Sequence, residues 1–513
     1  MHSLVETGVG TVRGRIDADG VHAFQGIPYG RPPTGAARHR APQAVAPWAG
    51  VFEATTPGAA CHQVVHPFLP PGAPMDEDCL HLNVWTPGPD ETARRPVMVW
   101  LHGGAFHFGS SAAPMTDGAR LARAGDVVVV SLNHRLSVFG FLYLKALWGD
   151  DYADSGNLGM LDIVLALRWV RDHIARFGGD PDRVTVFGES GGGRKVCVLM
   201  GMPAARGLFH RAIVQSGAHP RGVPPELATR FAHGFLRSIG ARTDDPRALH
   251  ALDGARLLEA AHHYVAHGTD PLLPAGATAR WLTMSPVVDG DDLPAHPFDP
   301  ASPLSRDVPL IIGTTKDEMA LFLARTPDAG RLDMDGLHAR LRPMFGPDTA
   351  RIVDVHRRCR PEESPWDLLV SIASEDRRLL SIEIAERKAA QGGAPVHLYW
   401  FTWESDVPLL KAAHTMEIPF VFDTLDATPI VGTRPDRFAL AAVMSRTWAA
   451  FARTGAPDHP ALPAWQAFDA HTRATMRFDV PCALVFDPRR EERLAWPGPV
   501  PMPWEPGAFV GAF

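Results

Sequence analysis

The stretch that most constrains the fold of this chain is residues 183–192, which join a short apolar run to the pattern Gly-x-Ser-x-Gly. The apolar run covers residues 184–187, and Ser190 lies in the pattern between Gly188 and Gly192. A helix-compatible segment begins directly after Ser190. This order of strand, sharp turn and helix is that of a nucleophile elbow, in which a strained turn lifts a serine hydroxyl clear of the sheet. The pattern alone arises by chance in about 10–20% of chains of this length, so the surrounding sequence decides its meaning.

Strands and helices alternate along most of the chain, which predicts a mostly parallel sheet in an α/β fold. Apolar runs predict strands at residues 80–85, 96–101, 126–131, 184–187, 212–216, 308–313, 396–402 and 473–478. Helices are predicted at 161–177, around 196–200 and at 440–451. Residues 8–30 alternate polar and apolar side chains and predict a small N-terminal antiparallel sheet. Segments 220–285 and 320–390 are helical by pattern, and we expect them as insertions over the active-site face of a single domain spanning residues 1–513.

The charge and composition argue against several classes of function. The 513 residues carry a formal net charge of −7 and no long run of Lys and Arg, which argues against a nucleic-acid-binding surface. No stretch reaches the about 18 apolar residues that span a bilayer. Residues 1–8 lack the basic and apolar regions of a signal peptide, so a cytoplasmic location is expected. The 24 histidines include no His-Glu-x-x-His motif and the five cysteines no zinc spacing. We expect no metal and no cofactor, a small-molecule substrate, and a monomer or small homo-oligomer.

Candidates for an acid and a base follow two of the later predicted strands. A serine hydroxyl becomes an effective nucleophile only when a base takes its proton and a third group orients that base. The strand ending at residue 313 is followed by Asp317 and Glu318, and the strand ending at residue 402 is followed by His414. Loops at the carboxyl ends of parallel strands build the sites of such sheets. Position alone leaves Asp317 open as an alternative to Glu318.

Nine short motifs, in order along nearly the whole chain, carry a resemblance to a known family. They begin at residues 24 (Phe-Gln-Gly-Ile-Pro-Tyr-Gly), 77 (Glu-Asp-Cys-Leu-His-Leu-Asn-Val), 102 (His-Gly-Gly-Ala-Phe), 156 (Gly-Asn-Leu-Gly-Met-Leu-Asp), 177 (Phe-Gly-Gly-Asp-Pro), 188 (Gly-Glu-Ser-Gly-Gly), 286 (Pro-Val-Val-Asp-Gly), 316 (Lys-Asp-Glu) and 418 (Ile-Pro-Phe-Val-Phe). On these motifs the chain resembles the type-B carboxylesterases, which include cholinesterases and bacterial para-nitrobenzyl esterases. The resemblance implies an α/β-hydrolase fold and a serine esterase that works through an acyl-enzyme.

The resemblance also assigns roles to individual residues. It implies that Ser190 is the nucleophile, Glu318 the acid and His414 the base, a Ser-Glu-His triad. An oxyanion hole needs backbone N–H groups that point at the position where negative charge develops. The resemblance assigns these groups to Gly104, Ala105 and Gly191.

Three positions depart from the family pattern. Most relatives carry Ala where this chain has Gly191, and the third glycine of the His-Gly-Gly-Gly motif is Ala105. Met319 replaces the usual glycine after the acid. Gly191 still offers its N–H group, whereas Met319 is expected to crowd the pocket.

Two cysteines, Cys61 and Cys79, match the first disulfide of the family. A bridge there would contribute about 3 kcal/mol on the loop-entropy argument. The lack of a signal peptide favours reduced thiols instead, because disulfides are rare in the cytoplasm. Both states stay open at this point.

The substrate pocket is predicted from the resemblance. Cholinesterases hold a quaternary ammonium against aromatic rings, notably a Trp in the loop between the first two cysteines. The corresponding loop, residues 62–78, has no Trp and one aromatic residue, Phe68, so choline esters are not the expected substrates. An apolar pocket suits uncharged short- to medium-chain or aryl esters. Candidate lining residues are Phe106, Trp281, Leu282, Met284, Leu321 and Phe322.

Alternative functions within the same fold are a lipase and a carbamate or amide hydrolase. A lipase would need a large apolar lid, which the insertions at 220–285 and 320–390 have the length to form. A more remote alternative is a non-catalytic binding protein with this fold. The presence of Ser190, Glu318 and His414 argues against that alternative, since such proteins lose the serine.

Overall fold

A mixed sheet of thirteen strands forms the centre of this computed structural model. The residues that the structure describes are 1–65, 69–70, 72–242, 245–268, 270, 272–274 and 276–505. In chain order the strands are β1 (His2–Thr7), β2 (Gly10–Ile16), β3 (His22–Pro28), β4 (Val51–Glu53), β5 (His81–Thr86), β6 (Arg95–Leu101), β7 (Val128–Leu132), β8 (Gly179–Glu189), β9 (Arg211–Gln215), β10 (Leu310–Thr315), β11 (Val396–Phe401), β12 (Ala474–Phe478) and β13 (Ala483–Phe486).

Helices flank this sheet and fill the long connections between its strands. In chain order the α-helices of the described residues are α1 (Ala119–Gly125), α2 (Ser137–Gly140), α3 (Lys145–Trp148), α4 (Leu158–His173), α5 (Gly191–Leu199), α6 (Pro225–Ser238), α7 (Arg247–His250), α8 (Gly254–His267), α9 (Ala277–Leu282), α10 (Ala320–Leu323), α11 (Met334–Phe345), α12 (Thr349–Cys359), α13 (Pro365–Ala390), α14 (Ile418–Phe422), α15 (Arg437–Thr454) and α16 (Arg490–Ala495). No helix among the described residues is long and apolar enough to cross a membrane.

The order of strands in the sheet is β1-β2-β3-β5-β7-β6-β8-β9-β10-β11-β12-β13, and β4 pairs with β2. The run from β7 through β6 and β8 to β12 is parallel throughout. The strands from β1 to β5 pair antiparallel along the main path, and β5 joins β7 in the same way. This arrangement confirms the predicted mostly parallel sheet with an antiparallel N-terminal part.

The alternation of side chains along the central strands explains the two-sided core. Val97 and Val99 of β6 belong to one buried cluster, whereas Met98 and Trp100 belong to the other. A strand that is buried on both faces needs an unbroken apolar run, which is the pattern of residues 96–101. The sheet is therefore covered by helices on each face.

Several boundaries differ from the sequence-based prediction. The first strand begins at His2 rather than near residue 8, and β13 and α16 follow the strand that was expected to be last. β13 is four residues long and only partly buried, which is too short for a period-two pattern to be recognised. The helix predicted at 161–177 is α4 followed by a 3₁₀ turn at Ile174–Phe177.

The two longest connections, which leave the carboxyl ends of β9 and β10, are rich in helices. Helices α6 to α9 lie between β9 and β10, and helices α10 to α13 lie between β10 and β11. These are the segments expected to be helical insertions, and the division into one domain with insertions stays a prediction. The loops that follow β6, β8, β10 and β11 carry the candidate catalytic residues.

Candidate active site

Ser190 sits on a strained turn between β8 and α5. Its backbone has φ 54° and ψ −118°, a left-handed conformation that costs free energy for any residue except glycine. Two backbone hydrogen bonds hold the turn: Ser190 N–H donates to Gln215 O at 2.8 Å, and Arg194 N–H donates to Ser190 O at 3.0 Å. A Cβ added at Gly192 would lie 1.9 Å from Leu101 O, so only glycine permits this approach to β6. The half-buried Ser190 is therefore presented by a turn that the surrounding backbone fixes.

The three predicted oxyanion donors lie on two loops that touch. Gly104 and Ala105 follow β6 in left-handed conformations, with φ 86° and 52°. A Cβ added at Gly191 would lie 2.1 Å from the carbonyl oxygen and 2.3 Å from the amide nitrogen of Ala105. None of the three N–H groups donates a hydrogen bond to a described residue. They are available to an oxygen atom that binds between the loops.

The same close approach accounts for one departure from the family pattern. With Ala105 held against the start of α5, a side chain at residue 191 would meet backbone atoms that have no free rotation. The close approach of the two loops therefore favours glycine at residue 191 in this chain.

His414 and Glu318 are in direct contact. Nδ1 of His414 hydrogen-bonds Oε2 of Glu318, and Oε1 of Glu318 accepts the backbone N–H of Thr315 at 2.9 Å. Both side chains are buried, at 5% and 0% exposure. Burial raises the pKa of Glu318, but His414 and its hydrogen bond outweigh burial and lower that pKa from the usual value. The carboxylate is therefore ionised and orients the imidazole, with Nδ1–H as donor and Nε2 turned away from Glu318.

Asp317, the alternative acid, faces away from His414. Its Oδ2 accepts the backbone N–H of Ala412 at 3.3 Å and lies 3.4 Å from Nζ of Lys316. Burial raises the pKa of Asp317, in part offset by the nearby lysines. The loop after β10 thus brings Glu318, and not Asp317, to the histidine.

A second buried carboxyl group stands at the other ring nitrogen of His414. Oε1 of Glu189, the residue before Ser190, lies 3.2 Å from His414 Nε2, although the two are not aligned as a hydrogen bond. Burial raises the pKa of Glu189 well above its usual value, and Glu417 and Glu318 raise it further. The raised pKa reduces the negative charge beside Nε2, and Oε1 of Glu189 makes no hydrogen bond to a described residue. No hydrogen bond joins Ser190 Oγ to a described residue, a looseness common in unliganded sites.

Glu417 belongs to the same buried group. Its Oε1 lies 3.5 Å from both Gln215 Nε2 and Tyr399 Oη, which donate to it. Burial raises the pKa of Glu417, and the charge of Glu318 adds to the effect. Sequence reasoning missed this group. The signal was present in the spacing, because Glu417 lies three residues after His414 and Glu189 directly precedes Ser190.

Lys195 is a further residue that sequence reasoning missed. Its side chain is completely buried, and its Nζ donates to the backbone oxygen of His102 at 3.0 Å. His102 directly precedes the loop that carries Gly104 and Ala105. Burial holds the pKa of Lys195 well below its usual value. The side chain thus ties the first turn of α5 to the loop with two of the predicted oxyanion donors.

The predicted pocket residues separate into two groups. Trp281, Leu321 and Phe322 are half-buried, and the Phe322 ring lies 5.4 Å from the His414 ring. The Trp281 ring lies 4.7 Å from that of His107. The other three predicted lining residues are packed in the core with almost no exposed surface, so they offer little contact area to a substrate in this structure. Phe68, the aromatic residue of the loop 62–78, lies outside the described residues. These core residues are Phe106, Leu282 and Met284.

Cys61 and Cys79 are free thiols in this structure, so the disulfide implied by the resemblance is not formed here. Both are buried, and a hydrogen bond with Cys61, together with burial, raises the pKa of Cys79 well above its usual value. Contact between the two sulfurs leaves oxidation open as an untested prediction. Among the described residues no cluster of His, Cys, Asp and Glu could hold a metal ion.

Comparison with known proteins places these features in a family. Residues 2–345 and 355–495 match the group described as the Carboxylesterase family. The chain is 36% identical over 504 residues to the para-nitrobenzyl esterase of Bacillus subtilis, covering 96% of this chain and 98% of that one. It is also 36% identical over 492 residues to the phenmedipham hydrolase of Pseudarthrobacter oxydans, covering 92% and 94%.

Solved structures give the same result for the fold. A carboxylesterase from Geobacillus stearothermophilus superposes with a TM-score of 0.82 at 38% sequence identity, covering 96% of this chain and 99% of that one. A para-nitrobenzyl esterase structure gives 0.81 at 36%, covering 96% and 100%. The predicted fold class, an α/β-hydrolase fold, is therefore confirmed.

Proposed function

Since this chain belongs to the carboxylesterase family and is a carboxylic ester hydrolase, we propose that it works through a Ser-Glu-His triad. Ser190 is the nucleophile, His414 the general base and Glu318 the acid that orients it. The observation that carries this proposal is the hydrogen bond from His414 to the buried, ionised Glu318 beside the elbow of Ser190. Backbone N–H groups of Gly104, Ala105 and Gly191 serve as the oxyanion hole.

The first half-reaction transfers the acyl group to the enzyme. Ser190 Oγ attacks the carbonyl carbon of the ester while Nε2 of His414 takes the hydroxyl proton. The carbonyl oxygen becomes an oxyanion, which the free N–H groups stabilise by about 3–4 kcal/mol for each donor. The intermediate collapses as the bond to the alcohol oxygen breaks, and the imidazolium returns its proton to that oxygen. The alcohol leaves, and Ser190 carries the acyl group.

The second half-reaction repeats these steps with water. His414 takes a proton from a water molecule, whose oxygen attacks the acyl-enzyme carbonyl. The second tetrahedral intermediate collapses when the bond to Ser190 Oγ breaks and His414 returns the proton to Oγ. The carboxylic acid leaves, and the enzyme is regenerated. The raised pKa of Glu189 supports this scheme, because it reduces the negative charge beside the ring nitrogen that takes the proton.

The substrates we propose are short- to medium-chain or aryl carboxylic esters. Phe322 is half-buried beside His414, and the half-buried Trp281 and Leu321 are the other predicted lining residues that keep exposed apolar surface for such acyl groups. The sequence favours uncharged esters over choline esters. A cytoplasmic location and a monomer or small homo-oligomer stay predictions.

Hydrolysis of para-nitrophenyl acetate, butyrate and palmitate tests the proposal. We expect the wild type to favour the short chains and Ser190→Ala to lose essentially all turnover. Ser238→Ala is the matched control, because Ser238 is exposed near the end of α6, and it should keep wild-type rates. A lipase would instead prefer the palmitate and show interfacial activation. Turnover by Ser190→Ala equal to that of the wild type would contradict the role of Ser190.

The same kind of assay tests the two alternatives, which are amide or carbamate hydrolysis and a purely binding role. A carbamate or amide hydrolase would turn over para-nitrophenyl carbamates or anilides faster than the matched esters. A binding protein without catalysis would leave all three esters intact in the wild type. Either result would overturn the proposed reaction.

A further inference from the structure

Arg194 lies one helical turn after the proposed nucleophile and has no counterion among the described residues. Its backbone N–H donates to Ser190 O at 3.0 Å, so it projects from the first turn of α5. The side chain is half-buried. Within the described part of the chain its guanidinium makes no hydrogen bond and no ion pair. A cation withdrawn from water without a partner is costly, and folded proteins normally pair such groups.

Two histidines beside Arg194 also lack partners within the described residues. His107 and His219 are buried at 1% and 0% exposure, and neither ring nitrogen of either residue bonds a described residue. Burial lowers the pKa of both well below the usual value, and the charge of Arg194 lowers it further. Each is a neutral imidazole with one N–H donor unused. Trp281 packs on His107, which places this group at the predicted pocket.

A second arginine, Arg377 of α13, lies near Met319 and Phe322 in the connection after β10. Its Nη1 lies 3.2 Å from Oδ1 of Asp376 and 3.3 Å from Sδ of Met319. Its guanidinium carbon lies 6.0 Å from the centre of the Phe322 ring, which packs on His414. The Phe322 ring therefore lies near both Arg377 and His414, the proposed base.

The two guanidinium groups are close enough to repel each other. Burial lowers the pKa of Arg194 to about 10, and Arg377 is the next contributor to that shift. The nearby carboxyl groups do not balance the pair: Glu318 is bonded to His414, and burial raises the pKa of Glu189 well above its usual value. Asp376 forms its ion pair with Arg377. One positive charge beside the proposed nucleophile thus remains without an anion among the described residues.

We propose that Arg194 and Arg377, with His107 and His219, form an anion subsite that selects esters carrying a second, ionised carboxylate. A carboxylate is the natural partner of a guanidinium, which can donate two parallel N–H bonds to it. The inference rests on the proposed esterase function and replaces the uncharged esters expected from the sequence by half-esters and carboxylate-bearing aryl esters as the preferred substrates. The same two charges disfavour cationic substrates such as choline esters.

Matched ester pairs test this subsite. For a carboxylate on the acyl side, the pair is mono-para-nitrophenyl adipate and para-nitrophenyl hexanoate. For a carboxylate on the leaving group, it is para-acetoxybenzoate and its methyl ester. The quantity measured is the ratio of kcat/KM for the anionic member to that for the neutral member. We expect a ratio of about ten or more in the wild type for at least one pair, and the pair that shows it identifies the side of the ester that faces Arg194.

Three variants of the enzyme are compared. Arg194→Met removes the charge at similar length and should lower that ratio about tenfold, to near one. Arg194→Lys keeps a charge without the planar pair of donors and should recover part of the ratio. Arg168→Met is the matched control, because Arg168 is exposed on α4 and has no ion pair among the described residues. Its ratio should equal that of the wild type.

The outcomes distinguish this inference from the proposed function. A wild type that hydrolyses the neutral esters with ratios at or below one for both pairs overturns the subsite and leaves the esterase intact. The same holds if the ratio is equal in the wild type and in Arg194→Met. A wild type inert on all four esters instead overturns the proposed function itself.

Discussion

Replacement of Glu318 by glutamine is the perturbation whose effect can be worked out most fully. In the native site Oε1 accepts the N–H of Thr315 at 2.9 Å, and Oε2 bonds Nδ1 of His414. A glutamine has one oxygen, and the fixed N–H of Thr315 requires it. The amide NH₂ then faces Nδ1, so Nδ1 must become the acceptor and Nε2 must carry the proton. That tautomer cannot take the proton of Ser190.

The magnitude follows from the loss of the correct tautomer. A comparable change in a serine protease triad lowers kcat by about 10⁴, which equals about 5.5 kcal/mol of barrier. We expect a similar loss for Glu318→Gln with para-nitrophenyl butyrate, while KM changes little because the Glu318 side chain is fully buried behind His414. Thermal unfolding of the variant serves as the check that the fold is retained.

Asp317→Asn is the matched control for this experiment. Asp317 is equally buried and adjacent in sequence, but it bonds Ala412 and lies by Lys316 instead of His414. Its kcat should stay within about tenfold of the wild type. If Asp317→Asn lost activity while Glu318→Gln kept it, the assignment of the acid and the tautomer argument would both be refuted.

Three further predictions concern the contacts of other buried groups. Lys195→Met removes the hydrogen bond to His102 O at 3.0 Å and should lower kcat about 10- to 100-fold with little change in KM, measured by steady-state kinetics. Asp162→Asn breaks the buried pair with Arg135, whose Nη2 lies 2.7 Å from Oδ1, and should lower the free energy of unfolding in urea by about 3–5 kcal/mol. Burial lowers the pKa of His39 to about 3. Its unfolded form gains a proton below about pH 6.5, so His39 alone should contribute a fall of about 1.4 kcal/mol per pH unit in the free energy of unfolding between about pH 6.5 and 3; His39→Gln should reduce the measured slope by that amount in urea titrations.

The parallel strands at the centre of the sheet could be predicted because each of them leaves a local signal. The run at residues 96–101 is apolar without a break, and β6 occupies the same stretch within one residue. The short β13 and the boundary at His2 could not be predicted, since they depend on pairing partners elsewhere in the chain. The sequence therefore predicted the type of the central elements, but it did not predict the strands at the edges of the sheet.

The candidate active site could be predicted from the sequence only in part. Ser190 could be found from the strand and turn around it, and Glu318 and His414 from the ends of two later strands together with the family resemblance. The roles of Lys195 and Arg194 could not be found this way. Charged residues on a predicted helix are usually exposed, and only the folded structure shows that Lys195 is buried against the backbone of a distant loop.

The most direct test of the proposed triad is covalent labelling of the enzyme by diethyl para-nitrophenyl phosphate, followed by peptide mass mapping. The reagent phosphorylates a serine that is activated by a base, and it releases para-nitrophenol as it does so. We predict one phosphoryl group per chain, located on Ser190, with loss of butyrate hydrolysis in proportion to labelling and little labelling of Glu318→Gln. Labelling at another residue, or full activity in an enzyme labelled at Ser190, would contradict the triad.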